Sequence, residues 1–191
     1  MTQKRGLALL LALLLALALV YPALADVAKG SVANGQYDNG EGISFPMPEK
    51  FSLYRQENKD AGYFRITLAG PRDTNGFNAA TIIDIIPGSM DVTQYEDDEI
   101  IDDTLRDYAS NYADLFVIAS ETFTDYGVDG RRVFLTYRDG DSQNRTSYLC
   151  IYVFSTDRNI VRIAYDAYGA QRTIVQDLNK IEDLFHAIVV P

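Results

Sequence analysis

Short runs of apolar residues, several of them alternating with polar ones, fill the first half of the chain at residues 51–55, 63–69 and 79–86. Glycine and proline pairs follow the second and third runs. A period of two is typical of strands that bury one face, and glycine and proline mark the turns between strands. The first half of the chain is therefore predicted to be rich in strands.

The segment GISFPMPEKF, residues 42–51, places apolar Ile43 and Phe45 on one side before Pro46 and Pro48 interrupt the pattern. Proline lacks the backbone donor and fixes φ, so it ends the pairing of a strand with its neighbour. We expect this segment to be a short strand at a sheet edge, with an architectural role and no part in a functional site.

The hydrophobic period changes from about Thr93 to Leu115. Apolar residues there recur in steps of four and three: Ile101, Leu105, Tyr108, Tyr112 and Leu115. This spacing predicts a helix with one apolar face, with Thr93 as its N-cap. The same steps recur over 171–189 and predict a second helix at the end of the chain.

Four further strands are predicted between the two helices, near residues 116–124, 131–138, 145–155 and 159–167. Short polar links join them, which makes neighbouring strands antiparallel. In SYLCIYVF, residues 147–154, the residues on both sides of the strand are apolar, as Ile151 and Tyr152 illustrate. A strand of this kind is central and covered on both faces.

These patterns together predict an α+β domain. Its sheet is antiparallel, with about six to eight strands in the order ββββ-α-ββββ-α and helices on both faces. The chain contains no internal repeat that would indicate a solenoid.

Two segments resemble the exported PsbP-like and DcrB-like families. The matching positions near the start are Gly42, Ile43, Ser44, Phe45, Pro48, Glu49, Lys50 and Phe51. The closing segment IEDLFHAIVV, residues 181–190, is also similar to the last helix of these families. The resemblance covers the chain from about residue 36 to the end. It implies an antiparallel sheet between helices and an accessory or binding role without catalysis, and it brings no catalytic residues with it.

The N-terminus combines basic residues, an apolar stretch over 7–20 and a small-residue site that ends at Ala25. This arrangement is typical of a cleavable signal peptide. We therefore predict a signal peptide over 1–25, a flexible segment over 26–35 and a single α+β domain over 36–191. The mature protein is expected to be secreted or to reside in the periplasm or cell envelope, with no membrane span after cleavage.

The formal net charge of −10 limits the kinds of partner. An acidic surface repels phosphate backbones, so nucleic acid and anionic lipid are not expected to bind. A basic protein or a cell-surface component suits this charge better. Cys150 is the only cysteine, so no disulfide can form within the chain, and its apolar neighbours indicate a core position.

Asp84 is unusual because the run AATIIDII places it on the same strand face as Ile82 and Ile86. A carboxylate there must be paired, hydrogen-bonded, at the rim of the sheet or protonated. Arg132 and Arg162 are candidate structural partners. The alternative is a functional carboxylate with a perturbed pKa.

The densest acidic run is YEDDEIIDD, residues 95–103. Its candidate binding residues share the first predicted helix: Glu96, Asp97, Asp98, Glu99 and Asp103. They could dock a basic protein or bind Ca²⁺, although calcium sites usually draw their oxygens from a folded loop. Acidic residues on a helix can also form no more than its solvated face.

No set of residues in the chain has the pattern of a nucleophile with a base or of a metal centre. The chain has one histidine, His186, and no G-x-S-x-G motif. We therefore predict no catalytic residue, no metal and no cofactor. The leading hypothesis is an exported, non-catalytic binding or accessory domain. The alternatives are a carboxylate-based hydrolase of the glycosidase kind, with Asp84 as its acid, and a module that binds a small apolar ligand between sheet and helix.

Overall fold

A computed structural model describes most of the chain after the N-terminal leader. The described residues are 27–60, 62–72, 78–108, 111–125, 127–140, 145–168 and 171–191. The predicted signal peptide, residues 1–25, lies outside them.

Ten strands and two α-helices make up the described part of the chain. The strands are β1 (Ser31–Ala33), β2 (Gln36–Asp38), β3 (Ser44–Pro46), β4 (Ser52–Asn58), β5 (Phe64–Arg72), β6 (Asn78–Pro87), β7 (Tyr112–Asp125), β8 (Val128–Asp139), β9 (Arg145–Ser155) and β10 (Asn159–Ala167). The helices are α1 (Asp97–Tyr108) and α2 (Gln171–Ala187), and a 3₁₀ turn at Val92–Gln94 precedes α1.

The main sheet has seven strands in the order β4-β5-β6-β10-β9-β8-β7, and every neighbouring pair is antiparallel. This confirms the α+β class and the antiparallel sheet. The predicted order ββββ-α-ββββ-α is wrong in its first part, because six strands precede α1. Three of them, β1 to β3, form a separate small sheet. Each of these strands is three residues long, because the prolines and glycines of this region interrupt strand pairing.

Each face of the main sheet is covered by one helix. One buried cluster joins Ile101 and Leu105 of α1 to Leu149 and Ile151 of β9. A larger cluster on the other face joins α2 to the alternate residues of β9, such as Tyr152, and to the small sheet. Ile151 and Tyr152 are both buried, as their pattern predicts. The main core therefore has two layers, one on each side of β9.

The first helix is shorter than its hydrophobic stripe predicts. Thr93 lies in the 3₁₀ turn, where Asp91 is the cap and its carboxylate accepts the Thr93 backbone N–H at 3.1 Å. The helix itself ends at Tyr108, and Leu115 belongs to β7. Pairing of residues 112–125 with β8 supplies backbone hydrogen bonds and overrides the helical spacing.

The C-terminal tail ties the small sheet to the rest of the domain. Ser44 of β3 donates its N–H to the carbonyl of Val189 at 3.1 Å, and Val189 donates back to Ser44 at 2.8 Å. The Asn159 side chain donates to the carbonyl of Pro191 at 2.5 Å. The segment after α2 thus links both sheets.

Candidate functional site

Asp84 lies in the middle of β6 with 0 % of its surface exposed. The sheet register places Arg65 of β5 and Arg162 of β10 directly beside it. Arg65 donates to the two carboxylate oxygens at 2.7 and 2.9 Å. Arg162 donates from Nε to Oδ2 at 3.0 Å and from a second nitrogen to the same oxygen. Charge-assisted pairing on both sides explains how a carboxylate is accommodated at this position.

Of the two partners predicted for Asp84, Arg162 is confirmed and Arg132 is wrong. Arg132 pairs in register with Tyr152, so it lies on the face that α2 covers, whereas Asp84 faces α1. Arg132 is bonded to Glu121 instead. The register between strands that are distant in sequence determines which side chains share a face of the sheet. This register places Arg162 beside Asp84 and Arg132 on the other face.

The five acidic residues predicted to bind a partner have different surroundings. Asp97 forms an ion pair with Arg131 of β8, and Ser120 of β7 donates to it at 2.7 Å. Glu96 and Asp98 are exposed to solvent. These three residues do not converge on one site.

Glu99 and Asp103, the other two, lie one turn apart on α1 and face the same groove. This α1 groove has a volume of about 270 Å³. It lies between α1 and the strands β6, β10 and β9, and its lining residues are Ile86, Tyr95, Glu99, Ile100, Asp103, Val153, Ile160 and Arg162. Its composition combines an apolar floor with a charged rim.

A second groove lies on the opposite face of the sheet, between α2 and the strands β7, β8 and β9. This α2 groove has a volume of about 250 Å³, and its lining residues are Ala119, Glu121, Arg132, Phe134, Cys150, Tyr152, Val175, Leu178, Asn179 and Glu182. Arg132 crosses its rim, bonded to Glu121 and at 3.4 Å from Glu182. The groove therefore has aromatic and aliphatic walls below a salt-bridged rim.

Cys150 is part of the floor of the α2 groove and is 3 % exposed. Burial raises the pKa of its thiol to about 12. The thiolate that a nucleophile requires is therefore strongly disfavoured at neutral pH. His186 lies at the end of α2 with its ring against Phe185, at a centroid distance of 4.9 Å. In the described part of the chain, no group of three or more acidic, histidine or cysteine side chains is placed to hold a metal ion.

Strand β7 forms one edge of the main sheet, beside the α2 groove, and pairs with β8 on its inner side. Its large apolar side chains are unusually exposed: Tyr112, Leu115, Phe116 and Ile118. Phe116 is the most exposed of them, at 66 %. We call these four residues the β7 apolar patch. Tyr112 lies on the α1 side, where its hydroxyl donates to Asp102 at 3.0 Å, whereas Phe116 pairs in register with Thr136 on the α2 side. Exposed apolar surface along an edge strand favours an interaction surface.

Sequence reasoning missed a buried carboxyl group, Asp166, at the end of β10. Its side chain is 6 % exposed and accepts hydrogen bonds from Ser147 and, at 3.2 Å, from Tyr137. Burial raises its pKa to about 7, although the hydrogen bonds oppose this, and the charge of Asp139 raises it further. The criterion that selected Asp84, a carboxylate within an apolar strand, also applies to the segment NIVRIAYDA and could have found it.

A comparison with models of known protein families finds no match, and a comparison with curated proteins finds none either. None of the helices in the described ranges has both the length and the apolar character to cross a membrane.

Proposed function

We propose that this chain is an exported, non-catalytic binding domain whose protein partner docks on the β7 apolar patch and the α2 groove beside it. The observation that carries the proposal is the position of four exposed apolar side chains on one edge strand, next to a groove lined by Phe134 and Tyr152. Sheet edges bind extended segments by adding a strand, and adjoining pockets then select its side chains.

The edge offers a regular stretch for such a strand. Residues 119–125 pair with β8 without a register shift, so their outward backbone groups follow an even ladder. Ala119 and Glu121 line the α2 groove. Alternate side chains of an added strand would point toward α2, where the groove can hold one of them. The register shifts of β7 lie before residue 119, where the apolar patch is presented.

Charge complementarity defines the partner segment more closely. Arg132 lies between Glu121 and Glu182, so the rim of the α2 groove carries one more negative than positive charge. The chain as a whole is also acidic. We propose an extended segment in which apolar residues alternate with basic ones, since like charges across an interface oppose binding.

The export and the accessory role are part of the proposal. The basic and apolar leader with its small-residue site supports export. The resemblance of residues 42–51 and 181–190 to the PsbP-like and DcrB-like families, whose members look like accessory domains, supports a role without catalysis.

The α2 groove also supports a second candidate, a module for a small apolar ligand. A cavity between sheet and helix with aromatic walls is what this alternative requires, and Phe134 and Tyr152 line the groove. The groove alone would then be occupied, and the β7 apolar patch would have no part. The hydrolase alternative gains no support from Asp84, because guanidinium groups hold both of its oxygens.

Site-specific photo-crosslinking tests the proposal. A benzophenone amino acid replaces Phe116 in residues 26–191, and the matched control carries it at Tyr54, which is 73 % exposed on the opposite edge strand β4. The purified variants are illuminated with envelope proteins of the native host. We expect one discrete protein adduct from position 116 that is absent from position 54 and is lost when Glu121 and Glu182 are changed to Lys. Equal labelling at both positions would contradict the proposal, and so would the absence of any adduct.

The same surface distinguishes the second candidate. If a neutral apolar probe such as 1-aminoanthracene binds in the α2 groove and Leu178→Trp displaces it while crosslinking at position 116 finds no partner, the small-ligand module is favoured over the protein-binding domain.

A further inference from the structure

The α1 groove supports a second binding site that does not depend on the β7 apolar patch or the α2 groove. We infer that it is a binding site for a small organic cation with an apolar body. The groove lies on the face of the sheet opposite to α2 and the α2 groove, so neither site requires the other.

The floor and the inner wall of the α1 groove are apolar. Ile86 and Ile160 lie side by side in register on β6 and β10, and Val153 of β9 continues this surface. Ile100 of α1, itself 5 % exposed, closes the inner wall. A volume of about 270 Å³ is close to the lower end of small-molecule sites, roughly 300 Å³. A compact aromatic or aliphatic molecule would bury its apolar surface against this floor.

The outer rim is negative. Glu99 and Asp103 lie four residues apart and therefore share one face of α1. Burial raises the pKa of the neighbouring Tyr95, and the charges of Glu99 and Asp103 raise it further. The aromatic ring of Tyr95 adds a surface that attracts cations.

The existing partner of Asp103 can be displaced. Arg106 donates to Asp103 at 2.6 Å, but both side chains are largely exposed. Pairs of this kind contribute little to stability. An ammonium group that brings its own apolar body into the groove gains both contacts at once, so it can replace Arg106 beside Asp103.

Arg162 at the inner end of the groove does not favour an anion. Its guanidinium makes two bonds to Asp84, and Thr104 lies 3.4 Å from its third nitrogen. An anionic ligand would have to compete with Asp84 for that guanidinium and would also meet Glu99 at the rim. The net charge of −10 further concentrates cations and excludes anions near the protein.

A free small molecule fits better than a single basic side chain. The apolar floor extends across three neighbouring strands, from Ile86 through Ile160 to Val153, and this breadth suits a ring better than one linear side chain. An arylalkylammonium ion can place its ring on this floor and its charge between Glu99 and Asp103. The ligand class is therefore a monovalent organic amine with an aromatic or branched aliphatic body.

Three matched probes test this inference on residues 26–191: phenethylammonium, its neutral counterpart 2-phenylethanol, and the anion 3-phenylpropionate. Two-dimensional NMR follows the amides of Tyr95, Ile100 and Ile160 during titration near neutral pH. We expect the amine to shift these amides with an affinity at least fivefold above that of the alcohol, and the anion to have no effect. Raising the salt concentration should weaken the amine alone.

The double variant Glu99→Gln with Asp103→Asn should lower the affinity for the amine to the affinity measured for the alcohol. Both side chains are on the rim, so the fold should persist, which an unchanged spectrum of the core amides checks. The control Glu49→Gln with Asp183→Asn removes the same charge from exposed positions outside both grooves and should leave binding as it is. If the control variant loses amine binding to the same extent, the effect depends only on net charge, and the inference is overturned.

Two other outcomes also overturn it. If the alcohol binds as tightly as the amine, the groove is an apolar pocket without preference for charge. If none of the three probes shifts the groove amides but a lysine-rich peptide does, the groove docks a basic protein segment. Neither outcome changes the crosslinking result at Phe116, so failure here and failure of the proposed function can be told apart.

Discussion

At the scale of single residues, charged groups inside the sheet are the most informative. Asp84 and Asp166 both lie within apolar strands and face α1, but their partners differ. Asp84 is held by two guanidinium groups, whereas Asp166 is held by hydroxyl groups. Asp84 is thus paired with positive charge on both sides, whereas burial among hydroxyl partners raises the pKa of Asp166.

Changing Asp84 to Ala should destabilise the fold by about 3–5 kcal/mol, because Arg65 and Arg162 would be left buried with the carboxylate removed. Urea denaturation followed by circular dichroism measures the free energy of unfolding. The exposed acid Asp98 provides the control, since its change to Ala should cost less than about 0.5 kcal/mol. A loss below about 1 kcal/mol for Asp84→Ala would show that the ion pairs contribute little.

Asp166 should make stability depend on pH. Its pKa of about 7 lies above the ordinary value near 4 that applies in the unfolded chain. Between these values the folded state binds more protons, so the contribution of Asp166 to the free energy of unfolding falls as pH rises through this window. Asp166→Asn stays neutral, so its stability relative to the natural protein should increase by roughly 2–4 kcal/mol from about pH 5 to pH 8.

Urea denaturation at several pH values in this range measures that difference. Asp183→Asn, which changes an exposed acid on α2, should show a difference that hardly depends on pH. The same flat behaviour for Asp166→Asn would mean that Asp166 is already ionised in the fold at low pH.

At the scale of elements, glycine at position 130 keeps β7 and β8 in close contact. Gly130 lies opposite Phe123, whose ring packs at 5.2 Å from Phe185 of α2. A methyl group at Gly130 would lie 2.6 Å from the carbonyl oxygen of Val153 and would also meet the Phe123 ring. Space at this position is required for the ring to reach α2.

We expect Gly130→Ala to destabilise the fold by about 1–3 kcal/mol, since it overpacks a filled core. Thermal and urea denaturation measure the loss, and the near-ultraviolet circular dichroism of the aromatic cluster should change with it. The exposed neighbour Thr122 serves as the control, because its change to Ala removes no buried group. Stability equal to that of the natural protein would mean that the Phe123 ring moves aside without cost.

Local patterns were sufficient to predict most elements but not the end of α1. The strand at 145–155, the strand at 159–167 and the helix from 171 begin where the sequence places them. The apolar spacing of Tyr112 and Leu115 fits a helix as well as an edge strand. Pairing with β8, a segment that follows in the chain, decides between the two, and a pattern within one segment cannot report it.

At the scale of the whole molecule, the sequence predicted the layers but not the sites. A central strand with two apolar faces is sufficient to predict a sheet covered on both sides. The α1 groove, in contrast, is built from the segment before α1, α1 itself and three strands, and Ile86 and Val153 are far apart in the chain. The charge of Glu99 and Asp103 was sufficient to select them as candidate binding residues. Their apolar neighbours in the groove could be identified only from the order of the strands in the sheet.

Removing residues 188–191 should destabilise the whole domain, because the tail joins both sheets. Two backbone hydrogen bonds with Ser44 and the partly buried side chains of Ile188 and Val190 would be lost. We expect a loss of about 2–4 kcal/mol in urea denaturation. Val189→Ala keeps both backbone bonds and shortens only an exposed side chain, so it should have little effect. Equal stability of the truncated and full chains would contradict a structural role for the tail.

The tail also determines when the domain can be completed. The backbone partner of Ser44 is Val189, which lies after α2, and Gly42 packs beside Pro191. A chain that is synthesised from its first residues onward therefore cannot form the Ser44–Val189 bridge until residue 189 has been added. The small sheet is accordingly attached to the segment after α2 only at a late stage of synthesis, when all the strands of the main sheet have already been made.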